Sequence, residues 1–173
     1  MEAKRISGSA QRSGGTAAIG RAFSHALMSE LAKVATVSHA EMDRALRNLE
    51  KCYVKQLERH PDLALEVRRR IAEQLLDQAV LRGSSLSVCR ARLNAASKLG
   101  FTNLEKRAHY HLLYAKGAFA RGHKRVANRV AVAIANDLEQ SLKRRKSLLA
   151  QECLAYTKKF LDHVKRDGNP PEK

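Results

Sequence analysis

Residues 38–83 read SHAEMDRALRNLEKCYVKQLERHPDLALEVRRRIAEQLLDQAVLRG, and they set the fold class. Ser38 and Glu41 form a capping box, in which the side chain of each accepts a hydrogen bond from the other's backbone amide, so a helix begins there. Pro61 marks the next boundary, because the residue before a proline avoids the helical region while proline suits the first turn of a helix. Gly83 suits the position just past a helix end. The stretch predicts two consecutive helices.

Apolar residues in these segments recur every three or four positions, which is the spacing of one helix face. The first series is Met42, Ala45, Leu49, Cys52 and Leu57. The second series is Ala64, Val67, Ile71, Leu75 and Ala79. An upstream series predicts one more helix, with Ile19, Phe23, Leu27, Leu31 and Val34 on one face.

Downstream, the same local signals predict further helices. One begins after Ser84 or Ser85 and ends at Gly100. The sequence TNLE at 102–105 is a second capping box, and the helix that it opens ends near Gly122. Its inward face is predicted to hold Leu104, Ala108, Leu112, Ala115 and Phe119.

The segment after Gly122 contains two apolar stripes that do not share a face. The first is Val126, Val130, Ile134 and Leu138. The second, rotated by about 90° at 100° per residue, is Leu149, Cys153, Tyr156, Phe160 and Val164. A single straight helix cannot bury both stripes, so we predict a kink or break near residues 143–146.

The predicted fold is all-α, an antiparallel helical bundle or stacked helical hairpins with about six to seven helices. No β-branched run alternates as a strand requires. Residues 1–16 are rich in Gly and Ser and are expected to form a disordered tail, and 167–173 a flexible one. Between them, 17–166 are predicted to be a single domain, with locally neutral helices over 38–82 and a basic C-terminal half over 83–166.

Charge is distributed unevenly along the chain, whose formal net charge is +16. Residues 41–77 hold eight acids and eight bases, whereas 78–136 hold eleven Lys and Arg against one acid, Glu105. Within 106–136 there are seven Lys and Arg, three His and no acid at all. A surface of this kind repels itself unless an anion covers it, and phosphate-rich RNA is a natural partner.

The helix after Gly122 is expected to carry a basic stripe on the side opposite its apolar one. We define the basic stripe as Arg125, Arg129, Asn136 and Lys143. We therefore expect a non-enzymatic protein that binds RNA or a ribonucleoprotein surface through phosphates, since Arg suits bidentate phosphate contact and Lys supplies a point charge. The predicted nucleic-acid-binding residues are Arg121, Lys124, Arg125, Arg129, Lys143, Arg144, Arg145 and Lys146. A merely solvated basic face is the simpler interpretation of the same charges.

Residues 108–131, AHYHLLYAKGAFARGHKRVANRVA, resemble one tetratricopeptide unit in the placing of Ala115, Phe119, Gly122 and Ala127. They depart from that pattern where Ala118 replaces a large residue, where Ala131 replaces an aromatic one, and where the closing proline is absent. No second copy follows at a period near 34 residues. The resemblance implies a helical-hairpin adaptor that binds an acidic protein, which is the alternative function.

Residues 94–111 resemble a DNA-binding helix-turn-helix around Gly100, but Lys106 stands where an apolar residue must pin the recognition helix. A structural turn between helices is the favoured interpretation. His109 and His111 are two residues apart and diverge on a helix, whereas a metal pair needs a spacing of three or four. Cys153 and His163 lack a residue that would orient them for nucleophilic chemistry. We therefore expect no enzyme activity, cofactor or metal.

The three cysteines are far apart in sequence and form no CxxC pair, so neither a disulfide framework nor a zinc knuckle is predicted. This usage favours an intracellular, reducing compartment, either the cytoplasm or an organellar matrix. The longest apolar windows fall well short of the roughly 20 residues that span a bilayer, so no integral membrane association is expected. The oligomeric state stays open.

Overall fold

The computed structural model describes the backbone of residues 7–167 and the side chains of residues 15–167. Within these residues it contains helices and no strand, which confirms the all-α prediction. The seven helices are α1 (Ser7–Leu31), α2 (His39–Gln56), α3 (Pro61–Leu81), α4 (Leu86–Leu99), α5 (Leu104–Ala120), α6 (Lys124–Arg144) and α7 (Leu148–Arg166). Their short connections are those of a bundle or of stacked hairpins.

Several helix ends lie where local chemistry places them. Ser38 Oγ accepts from the amide of Glu41 at 3.3 Å, and the amide of Ser38 donates to Glu41 Oε2 at 2.8 Å, so the first capping box is confirmed. Gly83, Gly100 and Gly122 follow α3, α4 and α5 with φ of 63°, 77° and 81°. Side chains with a Cβ rarely adopt these left-handed angles, which explains why glycine ends these helices.

The prediction that Thr102 and Glu105 form a second capping box is wrong, and the helix begins one residue later than that prediction placed it. The N-cap of α5 is Asn103, whose side chain accepts from the amide of Lys106 at 2.7 Å, and Thr102 lies outside the helix. The side chain of Glu105 cannot reach back to a cap, because it points into the protein and binds residues that follow α6. The contact of Glu105 with Arg145 and Ser147 therefore replaces the hydrogen bond that its side chain was predicted to make at the helix cap.

The described residues group into two compact units, divided between Gln78 and Ala79. The sequence predicted one domain over 17–166, and cooperative folding of that range as one domain stays a prediction. Of the predicted tail 1–16, residues 7–16 belong to α1, while 1–6 lie outside the described residues. Helix propagation explains the difference, since each residue added to an anchored helix gains a hydrogen bond without a new nucleation step. Of the predicted C-terminal tail 167–173, Asp167 is the C-cap of α7, and 168–173 lie outside the described residues.

The first unit packs side chains of α1, α2 and α3 around one core. All five inward residues predicted for α3 are buried, four of them in this core and Ala79 in the second unit, and so are Phe23 and Leu27 of α1. In α2 the prediction was only partly right, because Leu46 is fully buried while Cys52 is exposed. The face of α2 that meets the core is thus rotated toward Met42 and Leu46.

In the second unit, α5, α6 and α7 are consecutive antiparallel neighbours. Small residues occupy the crossing of α5 with α6, where each has no exposed surface: Ala115, Ala118, Ala127 and Ala131. Nearer the start of α5, Ala108 packs with Ile134 and Leu138 of α6 and with Ala150 of α7. Alanines allow the helix axes to approach closely, so any larger side chain there must push the helices apart.

The apolar stripe predicted for α7 needs correction. Leu149 and Tyr156 are 54 % and 55 % exposed, whereas Ala150 and Thr157 are buried. The small Ala150 fits between α5 and α6, and the hydroxyl of Thr157 donates to the carbonyl of Cys153 at 2.7 Å, which satisfies it within the helix. Hydrophobicity alone favours leucine and tyrosine for the core, but the close packing of three helices selects smaller residues.

The predicted break near residues 143–146 is confirmed, because α6 ends at Arg144 and α7 begins at Leu148. Ser147 is the N-cap of α7 and accepts from the amide of Ala150 at 3.2 Å. Glu105 Oε1 accepts from Arg145 at 3.3 Å and from the Ser147 hydroxyl at 3.1 Å. The start of α5 therefore holds the turn between α6 and α7.

Hydrogen bonding keeps the Glu105 carboxylate charged although only 9 % of its side chain is exposed. Its pKa lies below the ordinary value, chiefly because its own backbone amide donates to it, with further lowering by Ser147 and Arg145, while burial acts in the opposite direction. Since 65 % of the Arg145 side chain is exposed, solvent screens that ion pair, and the two neutral donors matter more.

Replacing Glu105 by Gln should destabilise the protein by roughly 1–2 kcal/mol at neutral pH. Because the folded-state pKa is lowered, ionised Glu105 stabilises the fold above its unfolded pKa of about 4.3, and this contribution is lost as the pH falls through the folded-state pKa. Urea unfolding at neutral and acidic pH should show the gap between E105Q and wild type narrowing in acid. E152Q, which changes an exposed acid, is the control; a gap independent of pH contradicts the assignment.

Replacing Ala131 by Leu should destabilise the α5–α6 crossing by roughly 1–3 kcal/mol, because the added atoms enter a fully packed contact. Ala133→Leu makes the same chemical change at an exposed position of α6 and should alter stability by no more than about 0.5 kcal/mol. Urea unfolding followed by circular dichroism measures both. Equal effects of the two substitutions would show that the crossing is loosely packed.

Candidate nucleic-acid interface

Helix α6 separates apolar and basic residues onto opposite faces. Ile134 and Leu138 are buried in one cluster of the core, and Val126 and Val130 are half-buried against a second cluster. The basic stripe is exposed at all four of its residues. The predicted opposition of the two faces is therefore confirmed, and it follows from helical periodicity.

Two arginines of the basic stripe have no intramolecular partner among the described residues. The side chains of Arg125 and Arg129 form neither an ion pair nor a hydrogen bond with residues 15–167. They are four positions apart on one helix, which places their Cα atoms about 6 Å apart along the axis. Two guanidinium groups on the same face at this spacing can each donate to an oxyanion on one extended polyanion.

Lys143, the last member of the stripe, lies about 27 Å from Arg125 along the helix axis. One turn before it, Glu139 has a pKa below its ordinary value, chiefly because Lys158 of α7 donates to it at 2.7 Å, with a smaller electrostatic contribution from Lys143. Glu139 therefore balances part of the charge of Lys143. Arg125 and Arg129, at the start of α6, attract an anion more strongly.

All eight residues that the sequence predicted as nucleic-acid-binding are exposed, but three of them have structural partners. Arg121 donates to the carbonyls of Gly117 and Ser84, at 3.0 and 3.5 Å, and so stabilises the end of α5. Lys124 donates to the backbone carbonyl of Asp167 at the end of α7. The third is Arg145, which binds Glu105.

The structure brings the predicted residues together as two groups rather than one. Arg121, Lys124, Arg125 and Arg129 surround the start of α6, while the cluster over 143–146 lies at its other end. The α6 helix has 21 residues and is therefore about 30 Å long. One ligand can contact both groups only if it extends along the helix.

The second unit has few acids, and several of them are already engaged. Residues 79–167 hold nineteen Lys and Arg against six Asp and Glu, a formal excess of 13. Asp137 binds Arg107 at 2.9 Å, while Glu139 and Glu105 bind Lys158 and Arg145. Arg125 and Arg129 are therefore not compensated by any ion pair within residues 79–167.

A groove of about 340 Å³ runs beside the basic stripe between α6 and α7. Val132 and Asn136 form its α6 side, and Asp162 and Lys165 stand on its α7 side. Its charges are mixed, so it offers a polyanion less than the stripe does.

Tyr156 of α7, which the sequence pattern assigned to the core, is an exposed aromatic residue. Tyr156 of α7 lies beside Lys116 of α5, whose ammonium is 4.1 Å from the ring centroid and donates to the phenol oxygen. The pKa of Tyr156 is lowered, chiefly by this hydrogen bond and then by the charges of Lys116 and Lys159. The sequence shows Lys159 three positions after Tyr156, which places both on one side of a helix. Because Tyr156 was assigned to the core, its exposure beside these cations was not predicted.

No helix among the described residues is long and apolar enough to cross a membrane. Comparison with protein-family models, with curated proteins and with solved structures finds no match for the chain. A function must therefore be argued from the side chains themselves.

Proposed function

We propose that the protein binds RNA, free or on a ribonucleoprotein surface, through phosphate contacts made by the basic stripe of α6. The observation that carries the proposal is the exposed pair Arg125 and Arg129, which have no partner among residues 15–167 in a unit with thirteen surplus positive charges. Phosphates that replace condensed counterions with such side chains release those ions, which favours binding without any sequence readout.

The composition of the stripe favours RNA over a protein partner. Protein interfaces are anchored by buried aromatic and apolar residues with arginine packed among them, and their centres are depleted of lysine and of acidic residues. On the outer face of α6 the exposed apolar residues are limited to Val132, at 40 %, and the small Ala133, among otherwise polar and basic side chains. Such a face has little with which to anchor a protein, whereas a polyanion needs only positive charge at intervals.

Tyr156 offers a separate contact, beside Lys116 of α5 and apart from the basic stripe, that RNA can use and that duplex DNA cannot easily reach. An exposed ring beside Lys116 and Lys159 can stack on an unpaired base while an ammonium meets the adjoining phosphate. This favours single-stranded segments or loops over a regular duplex. It is one stacking site, in agreement with the low aromatic content of the chain.

The basic stripe is tested by replacing Arg125, Arg129 and Lys143 together with Gln. RNA affinity should fall for all sequences alike, and the plot of log K against log salt should become shallower by roughly 0.7–0.9 for each phosphate that the variant no longer neutralises. Fluorescence anisotropy with a labelled oligonucleotide over a salt series measures both effects. Urea unfolding should shift by less than about 1 kcal/mol, since the three side chains are exposed.

The matched control replaces Arg44, Arg47 and Lys51 of α2 with Gln. It removes two arginines and one lysine from an exposed face, so the net charge changes equally. This variant should keep most of the wild-type affinity and salt slope. Equal losses of affinity in the two variants would show that only net charge matters, and absence of salt-dependent binding by the wild type would refute the proposal.

A tetratricopeptide-like adaptor for an acidic protein is the second candidate, and the alanine-lined crossing of α5 with α6 favours it. Affinity purification of the tagged chain, with and without nuclease, separates the two. If phosphate binding is the function, nuclease should release most captured partners. Retention of an acidic protein after nuclease would favour the adaptor.

A further inference from the structure

The turn between α6 and α7 combines exposed cations with exposed leucines. We call residues 143–149, KRRKSLL, the elbow. Lys143, Arg144 and Lys146 are exposed, while Leu148 and Leu149 are 80 % and 54 % exposed. Single exposed leucines are common on proteins, but two in succession beside a cluster of cations form a patch of defined chemistry.

The leucines and cations of the elbow lie at the same end of the second unit. Leu148 and Leu149 are the first two residues of α7, and Cα–Cβ bonds in a helix tilt toward its N-terminus, so both side chains lean over the turn. Because α6 and α7 are antiparallel, the end of α6 with Lys143 and Arg144 meets the start of α7. Lys146 is only two residues from Leu148.

Contacts on the inner side of the elbow impose this exposure. Arg145 and Ser147 both turn toward Glu105, and Ser147 also caps α7. Ala150, directly after the leucines, is buried against α5 and α6. With Ser147 and Ala150 fixed inward, the helical register directs Leu148 and Leu149 away from the core. The acid nearest in the α7 sequence is Glu152, one turn further along.

We propose that the elbow binds the surface of an anionic lipid bilayer. The cations contact the headgroups, and Leu148 and Leu149 enter the boundary with the acyl chains. Lys and Arg can extend their charged ends toward headgroups while their stems cover apolar surface, so both kinds of residue can be satisfied at once. The chain then associates peripherally, which is compatible with its lack of a membrane-spanning helix over the described residues.

The chemistry of the elbow fits a bilayer better than the other partners. A phosphate backbone attracts the cations but offers no apolar phase to two leucines. A protein interface can cover leucines, yet the centre of such an interface is depleted of lysine. Only a bilayer surface presents a dense layer of anions directly above hydrocarbon. The elbow shares Lys143 with the basic stripe, but this inference does not depend on the RNA proposal, because it rests on Leu148 and Leu149 beside Arg144 and Lys146.

Vesicle co-sedimentation of the full, nuclease-treated chain tests the inference. Vesicles of phosphatidylcholine with phosphatidylserine should bind the wild type at low salt, and vesicles of phosphatidylcholine alone should not. L148S/L149S should lower the partition coefficient by at least about tenfold, since two leucines lose their apolar burial. R144Q and K146Q should each lower it by about fivefold and reduce its dependence on salt.

Leu81→Ser is the matched control, because Leu81 is 76 % exposed at the end of α3 and outside the elbow. It should bind vesicles like the wild type, and both leucine variants should keep their helical circular dichroism. Failure of the wild type to bind anionic vesicles would overturn the inference, and so would equal binding by L148S/L149S.

RNA anisotropy on L148S/L149S distinguishes this inference from the proposed function. RNA binding should be unchanged, because serine removes no charge. If the variant loses RNA affinity, the elbow belongs to the RNA site and the bilayer assignment is wrong. If vesicle binding is abolished while RNA binding persists, the two surfaces act separately.

Discussion

The carboxylate of Glu105 joins three helices of the second unit. It stands at the start of α5, and it accepts from Arg145 and Ser147, which form the turn between α6 and α7. Ser147 in turn caps α7, so one buried charge helps to fix where α7 begins and how it is rotated. A buried carboxylate requires such donors, since an unsatisfied one is strongly destabilising. The exposure of the elbow and the burial of Ala150 both follow from this anchoring.

Scarcity of acidic residues gives the basic surface its character. Glu105 is the one acid over residues 78–136, and it is turned inward, so it neutralises little of the outer surface. Asp137 and Glu139 are engaged by Arg107 and Lys158. Three of the six acids in residues 79–167 therefore bind partners within the unit, while most of the cations are exposed. Solvent screens these exposed cations only in part, so they favour the approach of an external anion.

The two proposed surfaces of the second unit, the basic stripe and the elbow, differ in the side chains that lie beside their cations. Along α6, Arg125 and Arg129 lie among polar residues, so they suit a ligand recognised by phosphates alone. At the elbow the cations adjoin Leu148 and Leu149, so a ligand there must also supply an apolar phase. The length of α6 keeps the two arginines well away from the elbow. Equal positive charge can therefore select different partners according to the neighbouring side chains.

Helix boundaries were largely readable from the sequence, because capping, proline and glycine act through a few bonds within the chain. Ser38 opened α2 as expected, and the break after α6 followed from two stripes that one helix cannot bury together. The exposed side of α6 was also readable, since a continuous periodic stripe defines its own opposite face. The functional roles of the exposed cations are proposals and rest on charge.

Contacts between helices, and not local sequence signals, determine where α5 begins and which residues of α7 are buried. Asn103 rather than Thr102 caps α5, because Glu105 is drawn inward by residues forty positions later in the chain. Leu149 and Tyr156 are exposed although they are large and apolar, because close packing against α5 and α6 selects Ala150 and Thr157 instead. Periodicity names a helix face only to within about one residue, or 100°, and the neighbouring helices choose among the rotations that remain.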